Sequence, residues 1–372
     1  MRIALNAQLL STSSTFRRGG ISRVISHLLR ELGRDPRGQE LHAFVPEPPG
    51  FDGLGGVRYH ASGAATQRPA VRIPWEQIVL PRRLASLKPD LLHGLAYALP
   101  VGWPGRSIVS IYDLSFLRFP DAFKPVNRVY LAATARAAAR RARLVLTISE
   151  HSKRDIVRLL GVPEQRVQVT YPAADEHYRP LPVDEVEAFR GRKGLPDPFL
   201  FAVGTLEPRK NLVGLLEAYA RLDRPRPPLY VGGGAGWRFS PIFQTVQRLG
   251  LGDEVTFLGF LPEEQLPLWY NAARLFTFPS LYEGFGLPVL EAMACGTPVI
   301  TSTASSLPEV AGQAATLVPP HDSVKLAHEM QRVLDDPGLR KEMRAAGRIQ
   351  ASRFTWRGLA DGTVAAYRAA AG

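Results

Sequence analysis

Short apolar runs that alternate with amphipathic segments are the feature that most restricts what this chain can fold into. Residues 2–6 form one such run, a Gly19-Gly20 pair follows, and residues 21–32 then repeat apolar side chains at helical spacing. Later runs predict strands at residues 41–45, 91–93, 108–111 and 144–148, and helical patterns accompany them at residues 75–86, 127–142 and 152–160. Strands separated by helices predict parallel βαβ units.

The same alternation begins again in the second half of the chain. It predicts strands at residues 199–203, 228–231, 255–258, 275–278 and 298–300, and helices at residues 211–222 and 288–294. Residues 171–198 are rich in proline and lack periodicity, so we interpret them as a linker. The sequence therefore predicts an α/β fold of two Rossmann-like, doubly wound parallel-sheet domains, residues 1–175 and 176–354, with a cleft between them. Ligands of such sheets bind beyond the carboxyl ends of the strands.

Charge is distributed unevenly along the 372 residues, whose net charge is +12. Residues 1–175 carry 25 basic and 13 acidic side chains, and residues 176–372 carry 21 of each. No acidic residue lies between Asp121 and Glu150, whereas the basic residues there are Lys124, Arg128, Arg136, Arg140, Arg141 and Arg143. If that stretch is helical, all but Arg141 fall within about 160° of one face. The face is either a solvated surface or a contact for an anionic membrane or a pyrophosphate-linked lipid acceptor.

Several function classes find no support in the sequence. The single cysteine, Cys295, allows no disulfide framework and no cysteine-based zinc site. No apolar stretch reaches the about 18 residues of a membrane span, so we expect a cytoplasmic protein that is at most peripheral to the inner face of the membrane. No nucleic-acid-binding motif accompanies the basic half, and we expect no nucleic acid partner. The glycines at 232–234 lack the third glycine of the dinucleotide fingerprint.

The most informative segment runs over residues 279–299. Two carboxylates, Glu283 and Glu291, lie on either side of a short loop made of Gly284, Phe285, Gly286 and Leu287. Pro288 suits the first turn of a helix, so Glu291 should lie about one turn inside it. The backbone N–H groups at such a helix start attract a phosphate, and carboxylates accept hydrogen bonds from vicinal hydroxyls. An acidic first turn of an ordinary helix is the alternative, but two glycines and a proline shaping one loop argue against it.

A second segment, residues 203–216, places Gly204 and Thr205 at the end of a strand and Asn211 at the expected start of a helix. Asn211 is a plausible N-cap. Arg209 and Lys210 precede it at the carboxyl edge of the sheet, where two cations can neutralise a diphosphate. An exposed basic turn is the alternative interpretation, and the Glu283 loop is what favours the functional one.

On these segments the chain resembles glycosyltransferase family 4, which has the GT-B fold. The resemblance extends to other short motifs, among them Gly19-Gly20-Ile21, Trp75-Glu76-Gln77, Pro89-Asp90-Leu91-Leu92-His93, Ile111-Tyr112-Asp113, Val255-Thr256-Phe257-Leu258-Gly259-Phe260-Leu261 and Ser306-Leu307-Pro308-Glu309-Val310. Residues 355–372 resemble the terminal GT-B helix, which returns to the first domain.

The resemblance implies a retaining transferase that moves a sugar from a nucleotide-diphosphate donor to an acceptor hydroxyl. Transferred residue by residue, it assigns Glu283 to the hydroxyls of the transferred sugar, Glu291 to the ribose, and Arg209 and Lys210 to the diphosphate. The other implied donor contacts are Gly19, Gly20, Gly204, Thr205, Gly259, Phe260, Leu261, Gly284, Phe285, Gly286 and Leu287. His93, Tyr112 and Asp113 are candidates for the acceptor or sugar side.

Two departures from the family pattern matter. Thr205 stands where many relatives have an arginine, which leaves Arg209 and Lys210 as the main cations. Tyr112 stands where many have histidine, and it either bonds a sugar hydroxyl or is structural. His93 likewise either contacts a ligand or is a buried histidine with satisfied hydrogen bonds.

The mechanism must stabilise negative charge on the departing diphosphate. The chain contains no Asp-x-Asp motif for a divalent metal, so we expect no metal or other cofactor. Glu283 is a nucleophile candidate by residue type, but its implied role favours attack on the same face from which the diphosphate leaves. Trp75-Glu76-Gln77 and the Glu207-Pro208-Arg209-Lys210-Asn211 motif look most like mannosyl- or rhamnosyl-type polysaccharide transferases, which favours GDP-mannose. A UDP-sugar donor and a non-catalytic binding module of the same fold are the alternatives.

Overall fold

The computed structural model describes residues 1–11, 19–48, 50 and 55–372. Within these residues the chain divides into two compact units. Unit 1 contains Met1–Pro172 together with Thr355–Gly372, and unit 2 contains Ala173–Phe354. The sequence placed this boundary between residues 175 and 176.

In the described part of unit 1, seven parallel strands form one sheet: β1 (Arg2–Asn6), β2 (Glu40–Val45), β3 (Val57–Ala61), β4 (Leu91–Gly94), β5 (Ser107–Ser110), β6 (Leu144–Thr147) and β7 (Val167–Val169). Their spatial order is β3-β2-β1-β4-β5-β6-β7. The chain therefore reverses its direction of winding between β1 and β4. Such a switch point is where α/β sheets bind ligands.

Helices accompany this sheet at α1 (Gly20–Arg34), α2 (Pro69–Pro74), α3 (Leu80–Leu87), α4 (Ser115–Arg118), α5 (Pro125–Arg141) and α6 (Glu150–Leu160). A π-helical turn, Trp75–Val79, joins α2 to α3. Helix α1 forms as its sequence predicts, because Val24, Ile25, Leu28 and Leu29 share one face and are all buried.

Every residue of unit 2 is described, and six parallel strands form its sheet: β8 (Leu200–Val203), β9 (Leu229–Gly232), β10 (Val255–Gly259), β11 (Leu275–Phe278), β12 (Val299–Ser302) and β13 (Thr316–Val318). Their order, β10-β9-β8-β11-β12-β13, places the switch between β8 and β11. The two sheets together confirm the predicted α/β class with two Rossmann-like domains.

The helices of unit 2 are α7 (Val183–Lys193), α8 (Leu212–Tyr219), α9 (Ser240–Arg248), α10 (Leu266–Ala272), α11 (Leu287–Ala294), α12 (Leu307–Ala311), α13 (Ser323–Asp335) and α14 (Pro337–Ala351). A continuous core joins α8, β8, β9 and α13, with Leu215, Leu229 and Met330 fully buried.

The final helix, α15 (Trp356–Ala371), belongs to unit 1 and not to the unit that precedes it in sequence. The hydroxyl of Thr355 accepts a hydrogen bond from the N–H of Gly358 and so caps its first turn. The helix packs against α1, where the rings of His27 and Trp356 stack with their centroids 4.2 Å apart.

Three strands that the sequence did not predict, β3, β7 and β13, all lie at a sheet edge. An edge strand is covered less completely, so its sequence need not be apolar throughout. Only the first residue of β3 is buried and the other four are partly or fully exposed, whereas β4, β5 and β6 are buried along their whole length. The central strands therefore had a stronger sequence signal than these three edges, although the edge strand β10, with the same burial pattern as β3, was predicted.

The predicted linker at residues 171–198 is wrong in its middle part, where α7 forms. Pro180 and Pro182 precede this helix, and Pro196 and Pro198 follow it, so the prolines mark its two ends. Phe189 anchors the helix by an edge-to-face contact with Trp269 at 5.3 Å.

The predicted basic face is also shorter than expected, because α5 ends at Arg141 and Ala142 is extended. Arg143 lies beyond the helix and donates a hydrogen bond to the carbonyl of Ala370 at 2.9 Å. Arg128, Arg136 and Arg140 remain on α5, with Lys124 immediately before it.

Candidate active site

The loop between β11 and α11 carries Glu283 at the carboxyl edge of the second sheet. Gly286 ends the loop with φ +115°, and a Cβ at this position would lie 2.8 Å from Cδ2 of Leu307, so a glycine is required here. Helix α11 begins at the next residue, with Pro288 in its first turn as predicted.

Glu283 is held between the two predicted cations. Its Oε1 lies 2.7 Å from Nζ of Lys210, and its Oε2 lies 3.0 Å from Nη1 of Arg209. The backbone is fixed as well, because the N–H of Glu283 donates to Oγ of Ser305 at 2.8 Å. The hydroxyl of Ser306 donates to the carbonyl of Glu283 at 2.9 Å. The sequence predicted these charged residues separately, and the fold brings them together.

Burial and charge act in opposite directions on this carboxylate. Burial alone would raise the pKa of Glu283, but the positive charges of Lys210 and Arg209 outweigh it and hold that pKa below its usual value. Burial lowers the pKa of Lys210, and the charge of Glu283 opposes this shift. Glu283 is therefore a weak base that is ionised at neutral pH.

Glu207 completes the cluster on the other side of Arg209. Its Oε1 accepts hydrogen bonds from Nε of Arg209 at 2.9 Å and from Nη2 at 2.7 Å. Its Oε2 accepts one from Nε1 of Trp237 at 3.0 Å. The sequence motifs assign no role to Glu207, although a carboxylate two residues before the arginine is a usable signal.

Asn211 occupies the predicted N-cap position of α8 but does not cap the helix through its side chain. Its φ is +55°, and its Nδ2 donates to the carbonyls of Pro279 at 3.1 Å and Pro320 at 2.6 Å. Asn211 therefore joins the basic turn to the start of the Glu283 loop.

Glu291 lies on α11, and its side chain is buried. The hydroxyl of Tyr270 donates to its Oε2 at 3.0 Å. Burial, together with the negative charge of Glu291, raises the pKa of Tyr270 well above its usual value. The ribose contact that the resemblance implies for Glu291 stays a prediction.

The remaining predicted donor residues of unit 2 lie where neighbouring strands end. The N–H of Gly204 donates to the carbonyl of Gly232, and the N–H of Gly233 donates to that of Gly259 at 2.7 Å. A Cβ at Gly233 would lie 1.9 Å from the carbonyl oxygen of Gly204, so the two loops approach closely only because this residue is glycine.

Side chains next to these glycines differ in their exposure. Thr205 is exposed. Phe260 has 52% of its surface exposed, whereas Leu261 is partly buried over Gly232. A large exposed aromatic ring at the carboxyl edge of the sheet is available to a planar base, which is the contact that the resemblance implies for this loop.

In unit 1, Gly19 and Gly20 lie at the start of α1, where Gly19 is the N-cap residue and Gly20 opens the helix. Residues 12–18, which precede them, lie outside the described part of the chain. A phosphate contact of this glycine pair stays a prediction.

His93 is fully buried at the end of β4, and both of its ring nitrogens have partners. Nδ1 lies 2.8 Å from the hydroxyl of Tyr367, and Nε2 lies 2.9 Å from Oγ of Ser110. Burial lowers the pKa of His93 to about 3, so the ring is neutral at physiological pH. Of the two interpretations of His93, the geometry favours the structural one.

Tyr112 is also buried, and its hydroxyl donates to the carbonyl of Leu95 at 2.8 Å. Asp113 is partly buried and accepts a hydrogen bond from the N–H of Ser115 at 2.9 Å. Any contact of these residues with a sugar would have to replace or add to these bonds.

One group of described residues has the composition of a metal site. The ligand atoms of Asp175, His177 and Glu263 all lie within 4.8 Å of one another. His177 is exposed and Glu263 partly so, and none of the three belongs to the ion-pair cluster around Glu283.

Helix α5 combines positive charge with exposed apolar side chains. Val126 is 80% and Val129 is 63% exposed, and Arg128 and Arg136 line a cavity of about 460 Å³ beside Phe116, Leu117, Pro120, Val129, Ala132 and Ala133. Within the described residues, none of the helices is both long and apolar enough to cross a membrane.

Comparisons with known proteins agree with this architecture. Residues 18–178 match the model of the family described as Glycosyltransferase Family 4, and residues 184–350 match that described as Glycosyl transferases group 1. The O-antigen chain mannosyltransferase B of Escherichia coli is 32% identical over 366 residues, which cover 94% of this chain and 96% of that protein.

Solved structures show the same fold. Sucrose-phosphate synthase from Thermosynechococcus elongatus has a TM-score of 0.81 and 24% identity, and the match covers 99% of this chain and 98% of that one. Anabaena Alr3699/HepE in complex with UDP-glucose has a TM-score of 0.76 and 19% identity, and the match covers 99% of this chain and 100% of that one.

Two Rossmann-like units and a charged loop before α11 define an enzyme of the GT-B class of sugar transferases. The chain belongs to glycosyltransferase family 4, as the sequence motifs predicted.

Proposed function

We propose that this glycosyltransferase moves mannose from GDP-mannose to a hydroxyl of a polysaccharide or lipid-linked acceptor. Anomeric configuration is retained, and no metal ion takes part. The observation that carries the proposal is the contact of Glu283 with both Lys210 and Arg209 at the carboxyl edge of the second sheet. The similarity to an O-antigen chain mannosyltransferase supports mannose as the sugar.

Lys210 is the principal ligand of the diphosphate in this proposal. Among the described residues, its ammonium group donates one hydrogen bond, to Glu283, so its other N–H groups can bind phosphate oxygens. The N-terminus of α11 adds one backbone donor, the N–H of Leu287, and the partial positive charge of the helix. Stabilisation of the leaving group is then supplied by the protein, as a metal-independent reaction requires.

Glu283 holds hydroxyls of the transferred sugar. Its lowered pKa makes it a poor base for the acceptor hydroxyl, so it does not remove the proton. The acceptor attacks the anomeric carbon from the face that the diphosphate leaves, and a phosphate oxygen takes the acceptor proton. A glycosyl ester trapped on Glu283 would contradict this mechanism.

The nucleotide is tested by titrating the full chain with GDP and UDP in a calorimeter, with and without EDTA. We expect GDP to bind at least about tenfold more tightly than UDP, with no effect of EDTA. Tighter binding of UDP would favour a UDP-sugar donor, the second candidate, which the UDP-glucose complex of the structurally similar Alr3699/HepE makes plausible.

Turnover is tested with GDP-mannose and an α-linked mannose oligosaccharide. We expect mannose transfer and an α-linkage in the product by NMR. A chain that binds GDP but turns over neither GDP-mannose nor a UDP-sugar with cell-derived acceptors would be a binding module and would overturn the proposal.

On the acceptor side, we propose that α5 of unit 1 contacts the inner face of an anionic membrane. Its exposed Val126 and Val129 lie beside Arg128 and Arg136, the combination that binds an interface by burying apolar side chains among anionic headgroups.

Flotation with phosphatidylglycerol vesicles tests this contact, with phosphatidylcholine vesicles as the control. We expect salt-sensitive binding to the anionic vesicles alone, and its loss in Val129→Asp. Val183→Asp, which changes a valine of unit 2 that is 72% exposed, should leave binding intact. Equal behaviour of both variants, or no binding, would leave α5 a solvated face.

A further inference from the structure

Arg209 is fixed on both edges of its guanidinium group. Nε and Nη2 face Oε1 of Glu207, while Nη1 donates to Oε2 of Glu283 at 3.0 Å and to the carbonyl of Tyr282 at 2.9 Å. A planar guanidinium bound on two edges has one orientation. Glu207 therefore determines the angle at which Arg209 faces the site as much as Glu283 does.

Glu207 is itself anchored by a different loop. Its second oxygen accepts the indole N–H of Trp237, which follows β9. Backbone hydrogen bonds connect the same two loops. The N–H of Leu206 donates to the carbonyl of Gly234 at 2.9 Å, and the N–H of Gly236 donates to the carbonyl of Leu206 at 3.1 Å. The position of Glu207 thus depends on the ends of both β8 and β9.

The negative charge of Glu207 reduces the net positive charge that the cluster offers to an anion. Arg209 and Lys210 supply two positive charges, and Glu207 and Glu283 cancel them. A carboxylate next to a diphosphate site weakens anion binding by repulsion. Buried ion pairs of this type, with the Glu207 side chain 12% exposed, contribute little net stability over apolar replacements. The effect that remains for Glu207 is to fix the orientation of Arg209.

We propose that Glu207 is a positioning residue that orients Arg209 toward the leaving diphosphate and, through its negative charge, weakens binding of the nucleotide product. This inference rests on the proposed transfer from a nucleotide-diphosphate sugar. It assigns opposite effects to one side chain: Glu207 raises turnover and lowers affinity for the free nucleoside diphosphate.

Glu207→Gln tests both effects because it removes the charge while keeping the size. We expect GDP affinity in low salt to rise about threefold to tenfold, and turnover of GDP-mannose to fall about 10-fold to 100-fold. The gain in affinity should disappear as NaCl screens the charges. Glu217→Gln, at an exposed glutamate of α8 paired with Arg248, is the matched control and should change neither quantity.

Two further variants separate orientation from charge. Glu207→Asp keeps the charge but withdraws the carboxylate by one methylene, so turnover should fall without a gain in GDP affinity. Trp237→Phe keeps a ring beside Arg238 and removes the indole N–H, so turnover should fall about threefold with affinity unchanged.

The outcomes distinguish this inference from the function on which it rests. Wild-type chain that binds neither GDP nor UDP, or transfers no sugar, would contradict the proposed function. Wild-type transfer with unchanged turnover in Glu207→Gln would overturn the positioning role alone. A parallel loss of GDP affinity, turnover and melting temperature in that variant would also overturn it, because a purely structural residue behaves in that way.

Discussion

The carboxyl edges of the two sheets carry polar residues of different kinds. At the edge of unit 2, the ionised side chains of Arg209, Lys210 and Glu283 meet in one network. At the edge of unit 1, the neutral side chains of His93 and Tyr112 are buried and bonded to their own unit. The same position of the fold thus carries a charged network in one unit and neutral, internally bonded side chains in the other.

Net charge does not reveal this difference. The excess of +12 lies in residues 1–175, whereas residues 176–372 have no net charge, yet the ion-pair network lies in the second half. Oppositely charged neighbours cancel in a sum, so a half with no net charge can still contain a cluster of charged side chains. The candidate site is therefore located by its ion pairs and not by an excess of positive charge along the sequence.

Removing the centre of the network should have the largest effect. We expect Glu283→Gln to lower sugar transfer about a thousandfold, because the carboxylate that the proposed mechanism uses to hold sugar hydroxyls also loses the charge that pairs with both cations. Steady-state kinetics with GDP-mannose measures this, and Glu217→Gln is the control. Transfer within tenfold of wild type would remove Glu283 from the site.

Arg209→Ala should lower kcat about 100-fold, since the proposed mechanism gives its guanidinium the role of stabilising the leaving diphosphate. Arg248→Ala, at an exposed arginine of the same unit, is the matched control and should retain full activity. An Arg209→Ala enzyme with wild-type kcat would show that the diphosphate assignment is wrong.

Substitutions at the carboxyl edge of the unit 1 sheet should lower the stability of the protein and leave its transfer activity nearly unchanged. Tyr367→Phe removes the hydroxyl that binds His93 and should lower the free energy of unfolding by about 1–2 kcal/mol. Transfer at saturating acceptor should stay within about threefold. Tyr59→Phe is the control in urea denaturation, because the Tyr59 hydroxyl is buried without a partner among the described residues. A large rise in acceptor KM in Tyr367→Phe would instead favour the ligand role of His93.

The smallest expected effect is a pH dependence from His93. Its folded pKa of about 3 lies below the ordinary value of about 6.5 in the unfolded chain, so below pH 6.5 the unfolded state binds more protons. Stability is therefore complete above that pH and falls as pH decreases, by about 1 kcal/mol between pH 6.5 and 5.5 from this group. Urea denaturation at several pH values measures this. The free energy of unfolding should change less steeply with pH in His93→Gln than in wild type, and the control His328→Gln, at an exposed histidine, should behave as wild type. Equal slopes in all three would contradict a neutral buried His93.

Sequence reasoning predicted the strands that are buried on both sides and the motif around Glu283, because both leave strong local patterns. It missed the edge strands β3, β7 and β13, whose residues are partly exposed. It also missed Glu207 and Trp237 as partners of Arg209, since their contacts join the ends of two strands. Nor did it separate the two interpretations of His93, because Tyr367 lies 274 residues away in sequence.

The return of α15 to unit 1 has a consequence for synthesis of the chain. At about 5–20 residues per second, a ribosome needs roughly 10–35 s to produce Ala173–Phe354 between the two parts of unit 1. During that interval β4 has been synthesised and Tyr367 has not, so the His93 ring lacks the hydroxyl that binds its Nδ1 in the complete chain. Unit 2 has all its residues before unit 1 does, and the second half of the chain can complete its fold first.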